Sequence, residues 1–477
     1  MVFSSNVFLI FFLPIFLISY FACPRRFRNY IILLFSVVFY AYGAPDFILL
    51  LLGSTIANFY LVKLMYKEEK GALKKLYCAL AIGISLGLLI YYKYANFLID
   101  NINFILAGCH VHTITMAKIL LPIGISFFTF QSITYVIDTY RGNNYPMRKI
   151  SDYIVYIMMF PQLIAGPIVR YCDIEKEIIE RESKPAEMMQ GFYRFVIGLC
   201  KKVLIADIIG MQVDTYLAGD LALMDSGTAW ITIAGYTMQL YFDFAGYSDM
   251  AIGLGKIMGF HFPENFDNPY NSQSITEFWR RWHITLGSFM RNYLYIPLGG
   301  NRCSKPRMYF NLWVVFLLSG LWHGASWNFV IWGLYFGIIV TLEKYTLLRV
   351  RDRIPSVLLH VYSLLLVVVG WGIFYFDDFG RMTTFFTAFA GNASELHDFT
   401  VESALFGNFW LWVSGVLFSL PVYDFVSRHF ARLFPANTLL RRNLVLATRL
   451  VVSCVLLFLS VSLLVGATNN AFIYTRF

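Results

Sequence analysis

Charge is scarce in this sequence. Asp, Glu, Lys and Arg make up 14% of 477 residues, where a soluble domain carries about 25%. They gather in short clusters between long apolar runs. That excludes a soluble globular chain and leaves an all-α polytopic membrane protein. No basic residue precedes the first apolar run, MVFSSNVFLIFFLPIF, and no small-residue cleavage site follows it. Val7–Ala22 therefore reads as a retained first crossing rather than a cleavable leader. The seven cysteines are odd in number and scattered, which implies no disulfide framework. Cys109-His110-Val111-His112 is the one metal-like cluster and lacks a second ligand pair, so no metal is expected. The net charge of +9 comes without a long basic stripe; the Lys and Arg residues sit beside apolar segments, where they set orientation and do not suggest nucleic acid. Internal repeats are absent, as are the paired broken helices of many transporters.

The charge that is present orders the crossings. Arg25, Arg26 and Arg28 put the first loop in the cytoplasm and the N-terminus outside. Ile31–Tyr42 goes out, and Phe47–Val62 returns to Lys63, Lys67, Lys70, Lys74 and Lys75. Leu76–Tyr92 goes out to a basic-poor loop, Ala95–Lys118, and Ile119–Tyr140 returns. Trp230–Tyr247, Val357–Phe376, Ala404–Leu420 and Leu444–Val465 are further segments, for about eleven transmembrane helices in all. Tyr153–Val169 contains Pro161, Gly166 and Pro167 and cannot be one regular helix, so a re-entrant segment buried in protein or lining a cavity is expected. Arg170–Glu187 reads as a charged surface helix with Ile174, Ile178 and Ile179 on one face. The path of 191–217 stays open, since it is apolar but carries Arg194, Lys201, Lys202 and Asp207.

Phe310–Leu342 is almost wholly apolar yet holds His323, with Gly320 and Gly324 nearby. Lys305 and Arg307 precede it and Lys344 and Arg349 follow it, so both ends face the cytoplasm. Roughly 33 residues are too few for two full crossings of about 20 each. A hairpin turning inside the bilayer, with His323 at the turn, is expected. An ionisable group at that depth points to function; the plainer alternative is a core histidine hydrogen-bonded between helices. Upstream, Ser274-Ile275-Thr276-Glu277 has capping-box spacing. It would open a helix through FWRRWHITLGSFMRNYLY, with Trp279, His283, Leu286 and Met290 on one face. Arg280, Arg281 and Arg291 lie there among aromatics. Such a helix either rests at headgroup level or also binds an anionic cytoplasmic ligand.

Five stretches in order carry a resemblance: Pro122–Gly142 (PIGISFFTFQSITYVIDTYRG), Phe160–Tyr171 (FPQLIAGPIVRY), Phe242–Phe260 (FDFAGYSDMAIGLGKIMGF), Asn265–Arg302 and Ser319–Gly333 (SGLWHGASWNFVIWG). Together they resemble the membrane-bound O-acyltransferases, in the branch that acetylates alginate and related polysaccharides; the closing FIYTRF is similar to that branch's aromatic tail. The resemblance implies an irregular helical bundle with cytoplasmic and extracytoplasmic funnels. It would be a single polytopic domain over 1–477, with N-terminal crossings in 1–121, a catalytic core in 122–343 and C-terminal crossings in 344–477. It maps the family's two histidines onto His283 and His323, the second being catalytic at the narrow centre of the passage. It implies transfer of an acyl group, acetyl foremost, from a cytoplasmic thioester to an extracytoplasmic hydroxyl. Acetyl-coenzyme A would be the donor substrate, with no bound cofactor. The implied partners are an extracytoplasmic acetyltransferase protein and a polysaccharide, and the implied location is the bacterial cytoplasmic (inner) membrane.

Acyl transfer needs a base for the hydroxyl proton, and histidine suits because it titrates near working pH. His323 is the expected general base, and His283 would orient the donor or assist proton transfer. Arg280 and Arg281 are candidates for the donor's phosphates. Asp138, Asp243 and Asp249 are expected to be structural. The teichoic-acid D-alanyl transferase branch shares the motifs, with a carrier-bound D-alanyl thioester as donor, but the crossings beyond Phe376 fit the acetylation branch better. A transporter of an acyl carrier or glycan precursor and a non-catalytic scaffold are the rival classes.

Overall fold

The computed structural model describes residues 2–68, 71–391, 400–422, 425–426, 428–429, 439–466 and 472–473. Lys70 and the end of the aromatic tail lie outside them. Among the described residues the secondary structure is helical, without strands. Among the described residues, five helices are long and apolar enough to cross a membrane: Pro45–Lys67, Ala72–Gly108, Trp327–Arg353, Ser356–Tyr375 and Asn443–Gly466. A sixth follows if Val401–Gly407 and Phe409–Ser419, bent by 78°, form one span. Val7–Ala22 is a shorter apolar helix that opens with a π-helical stretch.

Three boundaries differ from the sequence reading. The loop placed at Ala95–Lys118 is largely helix: Ala72–Gly108 runs unbroken for 37 residues, about 55 Å. No proline or glycine interrupts its second half, so nothing stops it before Gly108. The following helix starts late, at Ile125, because Pro122 precedes it and Gly124 adopts φ +79°. A Cβ on Gly124 would also stand 2.5 Å from the Leu163 carbonyl oxygen. The expected surface helix ends at Ile179, and a second one begins at Pro185. Ile174 and Ile178 are buried, but Ile179, at the frayed end, is 77% exposed.

The irregular stretch after Tyr153 is buried in protein, as expected. Helix Ile150–Met158 breaks at Met159, a single turn covers Phe160–Leu163, and non-helical chain follows. Its backbone groups find side-chain partners, as burial away from water demands. Phe160 N–H donates to Ser36 Oγ at 3.1 Å, and Ile168 N–H to Thr285 Oγ1 at 2.9 Å.

The open path of 191–217 resolves into helix Pro185–Cys200, a π-helical turn Lys201–Ala206 and helix Asp207–Ala218. It packs along Ser226–Met258, a helix buried on nearly all sides. Glycines let the two backbones touch: a Cβ on Gly198 would stand 2.5 Å from the Gly246 carbonyl oxygen, and one on Gly246 2.7 Å from that of Gly198. The charges on these helices are paired, as charges buried among apolar groups must be. Lys202 meets Asp243 at 2.5 Å and Asp207 at 2.7 Å, and Lys201 meets Asp249 at 2.7 Å. Ile473 docks on the same pair, its N–H donating to Asp243 at 2.9 Å.

Gly198→Val is expected to destabilise the protein by roughly 1–3 kcal/mol through overpacking. Gly87→Val, at a position with no atom within 4 Å of an added Cβ, is the control. Thermal melting of the purified protein should separate the two variants; equal melting would refute the glycine contact.

Candidate active site

The hairpin is built from Lys305–His323 and Trp327–Tyr345, 19 residues each, about 28 Å long. Its legs are longer than the apolar count indicated, because the flanking Lys305, Arg307 and Lys344 are helical too. The helices meet closely, since a Cβ on Gly333 would stand 2.6 Å from the Phe316 carbonyl oxygen. His323 closes the first helix and is 3% exposed. Gly324, the next residue, has an extended backbone, φ −164°, so its value is space under the Phe329 ring, not conformational freedom.

The last carbonyls of a helix have no partner within it. Here the long Ala72–Gly108 helix supplies the partners. Lys93 Nζ donates to the Trp322 carbonyl, to the His323 carbonyl at 3.1 Å and to Ser126 Oγ at 3.3 Å. Tyr94 Oη donates to the Leu321 carbonyl at 2.5 Å. A cation at a helix C-terminus is also favoured by the helix dipole. The sequence reading missed both residues by ending the helix at Tyr92. Lys93 stands alone in an apolar run, which was the available signal. Lys93 and Tyr94, rather than the nearby hydroxyls of Ser319 and Ser326, thus take the carbonyls at the end of this helix. Asn328 Nδ2 instead donates to the Phe374 carbonyl at 3.2 Å.

The second histidine arrives by a break in the chain. The helix expected to continue through His283 covers only Ile275–Arg281 and resumes at Ile284. His283 sits between the two pieces at φ +45°, a left-handed conformation uncommon for a residue with a side chain. Its environment holds it there. Its ring Nδ1 lies 3.0 Å from Asn265 Oδ1, and Thr285 Oγ1 lies 2.9 Å from the same oxygen. The Asn265 amide nitrogen donates to Ser248 Oγ at 3.0 Å. With the amide oxygen as acceptor, Nδ1 carries the proton and Nε2 keeps the lone pair in the neutral ring. The start of the preceding piece is pinned by the hairpin. Glu343, 1% exposed, accepts from Ile275 N–H at 2.6 Å and Thr276 N–H at 2.8 Å. Ser274 Oγ accepts from Glu277 N–H at 3.0 Å, as its spacing predicts.

Trp322 brings the histidines together: its ring lies 5.9 Å from that of His283 and 5.0 Å from that of His323. Trp332 and Phe374 complete an aromatic wall, 5.1 and 5.2 Å from the His323 ring. A cavity of about 210 Å³ reaches His283, with apolar walls from Trp279, Leu286 and Phe316 and with Arg291 and Lys344 among its lining. Arg280 and Arg281 line a different pocket, of about 610 Å³, together with Arg351. Arg281 is already held there by Glu277 at 3.0 Å and Asp267 at 3.4 Å. Asp138 accepts from Tyr293 Oη at 2.6 Å, and Asp243 and Asp249 engage the basic groups described above.

Lys93→Met should strip donors from buried carbonyls, a loss of about 1–3 kcal/mol for an unsatisfied group. It is expected to lower the melting temperature more than Lys75→Met, a change at a lysine to which no such contact belongs. Equal melting of the two variants would show that Lys93 does not hold the turn.

Comparison with known proteins identifies the family. The model of the membrane-bound O-acyltransferase family matches residues 146–386, a stretch that includes both histidines. A probable alginate O-acetylase of Pseudomonas aeruginosa is 45% identical over 375 residues, covering 78% of this chain and 72% of that protein. A peptidoglycan O-acetyltransferase of Helicobacter pylori is 34% identical over 411 residues, covering 78% and 77%. A teichoic acid D-alanyltransferase of Bacillus subtilis is 30% identical over 236 residues, covering 47% and 59%. Five ordered motifs, two histidines joined across one tryptophan and similarity across most of the chain lead to one conclusion: the chain belongs to the membrane-bound O-acyltransferase family.

Proposed function

We propose that this multi-pass membrane O-acyltransferase moves an acetyl group from a cytoplasmic thioester, acetyl-coenzyme A, to an extracytoplasmic hydroxyl on a partner protein or polysaccharide. The observation that carries the reading is the pairing across Trp322 of two buried histidines, one of which, His283, lines an apolar cavity with cationic residues in its lining. Apolar walls suit an acyl chain and its thioester, while Arg291 and Lys344 suit donor phosphates. Arg280, with Arg351 in the neighbouring pocket, offers a second cationic surface to the same polyanion. The hydroxyl oxygen attacks the thioester carbonyl as His323 takes its proton. The tetrahedral adduct then collapses, the C–S bond breaks, and the proton passes from the imidazolium to the leaving thiolate. His283, oriented by Asn265, keeps its Nε2 lone pair available to receive or relay that proton. The alginate and peptidoglycan relatives favour a polysaccharide as final acceptor; the D-alanyl relatives are more distant.

The membrane arrangement follows the same reading. About eleven crossings with the N-terminus outside place the basic loops, and both ends of the hairpin, in the cytoplasm of a bacterium's inner membrane. Residues 122–343 form the catalytic core of one membrane domain, between N-terminal and C-terminal crossings and between funnels from the two faces. The turn at His323 then lies within the bilayer. The long helix that caps it runs 15 residues beyond Lys93, about 22 Å, which leaves room for that depth. A reporter fused after Arg28 is expected on the cytoplasmic side; finding it extracytoplasmic would reverse the topology.

Acyl transfer from labelled acetyl-coenzyme A tests the mechanism. His323→Ala should lose 10²–10⁴-fold in rate, roughly what removing a general base costs, while staying monodisperse and melting normally. A near wild-type rate would overturn the assignment, and a D-alanyl carrier thioester accepted in place of acetyl-coenzyme A would overturn the donor. In the same assay Arg291→Ala/Lys344→Ala should raise the donor KM more than Arg280→Ala/Arg281→Ala.

A further inference from the structure

Attack on a thioester carbonyl moves an electron pair onto its oxygen, and an active site that speeds this step holds a hydrogen-bond donor there. The polar groups around the two histidines are engaged elsewhere. His323 receives the hydroxyl proton. Nδ1–H of His283 faces the Asn265 amide oxygen, so its Nε2 carries a lone pair and accepts rather than donates. The Lys93 ammonium has three N–H bonds and three acceptors, the Trp322 and His323 carbonyls and Ser126 Oγ. Tyr94 gives its one proton to the Leu321 carbonyl.

One donor at the centre is not engaged. Trp322 is 5% exposed, and its Nε1 is buried without a hydrogen-bond partner among the described residues. A buried indole N–H ordinarily finds an acceptor. Trp279, Trp332, Trp371 and Trp412 share the feature, so an unpaired indole is not by itself a site. Position singles out Trp322. Trp332 meets the His323 ring, but Trp322 alone of the five meets the rings of both histidines, and His283 is where the apolar cavity reaches. The indole is also held firmly. The Phe130 ring stacks on it at 5.5 Å and in turn on Phe289 at 3.9 Å, and the Phe127 ring meets its other neighbours' side at 5.6 Å, edge on. Lys93 holds its backbone carbonyl. A fixed donor beside the reacting groups needs no reorganisation when charge develops.

We propose that Trp322 is a further catalytic residue, its indole N–H donating to the thioester carbonyl oxygen as the tetrahedral adduct forms. The inference rests on the acyl-transfer reading. The acceptor oxygen bonds to the carbonyl carbon, its proton goes to His323, and the π pair of C=O moves onto oxygen, where the indole N–H meets it. The indole proton stays on nitrogen throughout. The pair then returns to re-form C=O, the C–S bond breaks, and the thiolate takes the proton from His323. A neutral donor suits the place, because it leaves no unpaired charge buried between turnovers.

The test is acetyl transfer by the purified full chain with Trp322 replaced by benzothienylalanine, a ring of the same shape with sulfur in place of N–H. Both kcat and kcat/KM should fall roughly 10²–10³-fold, as on removal of one oxyanion donor, with the donor KM unchanged. The melting temperature should stay level or rise, since a buried donor without a partner has been removed. A merely structural tryptophan gives the reverse, a lower melting temperature with wild-type kcat per folded molecule. Trp322→Phe, which also lacks the N–H, should reproduce the kcat loss. Trp371 is the control: it is 1% exposed, and its ring contacts are to Trp and Phe. Benzothienylalanine there should leave kcat at the wild-type value. Wild-type kcat for the Trp322 replacement, or an equal loss at Trp371, overturns the proposal. If His323→Ala is inactive while the Trp322 replacement is fully active, this inference fails alone; an active His323→Ala removes the reading beneath it.

Discussion

Three carbonyl oxygens at the end of the hairpin's first helix have no partners within that helix, and the surroundings of His323 are arranged to satisfy them. In water they would be solvated. Buried, each would cost of order 1–3 kcal/mol. Lys93 and Tyr94 take all three from a neighbouring helix. That requirement explains why Ala72–Gly108 runs past the point where an apolar crossing would end. It also ties the position of the imidazole to a helix remote in sequence. Glu343 does the complementary work at the other end of the hairpin, where its carboxylate meets the exposed N–H groups of the helix leading to His283. One buried amine and one buried carboxylate, each placed at a helix end of opposite polarity, thus tie the positions of the two histidines to neighbouring helices.

Much of this was legible in the sequence. An isolated histidine in an apolar run, basic residues at both ends and a proline-broken segment each have one dominant physical reading, and the hairpin and the buried irregular stretch followed. What was not legible depended on partners far along the chain. Lys93 reads as the boundary of a crossing until its acceptors, some 230 residues away, are known. Asn265 is one asparagine among many, and only the fold sets its amide against His283. The break at Trp282–His283 was hidden because the aromatic spacing is good for a continuous helix. The left-handed turn is imposed by hydrogen bonds to Asn265, not by any local glycine or proline.

The remaining charges show how a chain poor in ionisable groups spends them. Lys202 lies between Asp243 and Asp207, and Asp249 between Lys201 and Arg194. These pairs sit where Ser226–Met258 and its neighbour come within backbone contact at glycines. Close approach shortens the reach each long side chain must make, so opposite charges meet without widening the bundle. The docking of Ile473 on Asp243 adds a second partner to one of these carboxylates.

The choice of an amide at Asn265 carries a consequence of its own. A carboxylate in that position would accept the same hydrogen bond from the His283 ring. It would also place a negative charge that holds a second proton on the imidazole, and the ring would then give that proton up slowly. An amide fixes the tautomer without adding charge. The ring is aimed while its partner stays uncharged, so the direction of one hydrogen bond, rather than a counter-ion, sets which nitrogen keeps the lone pair.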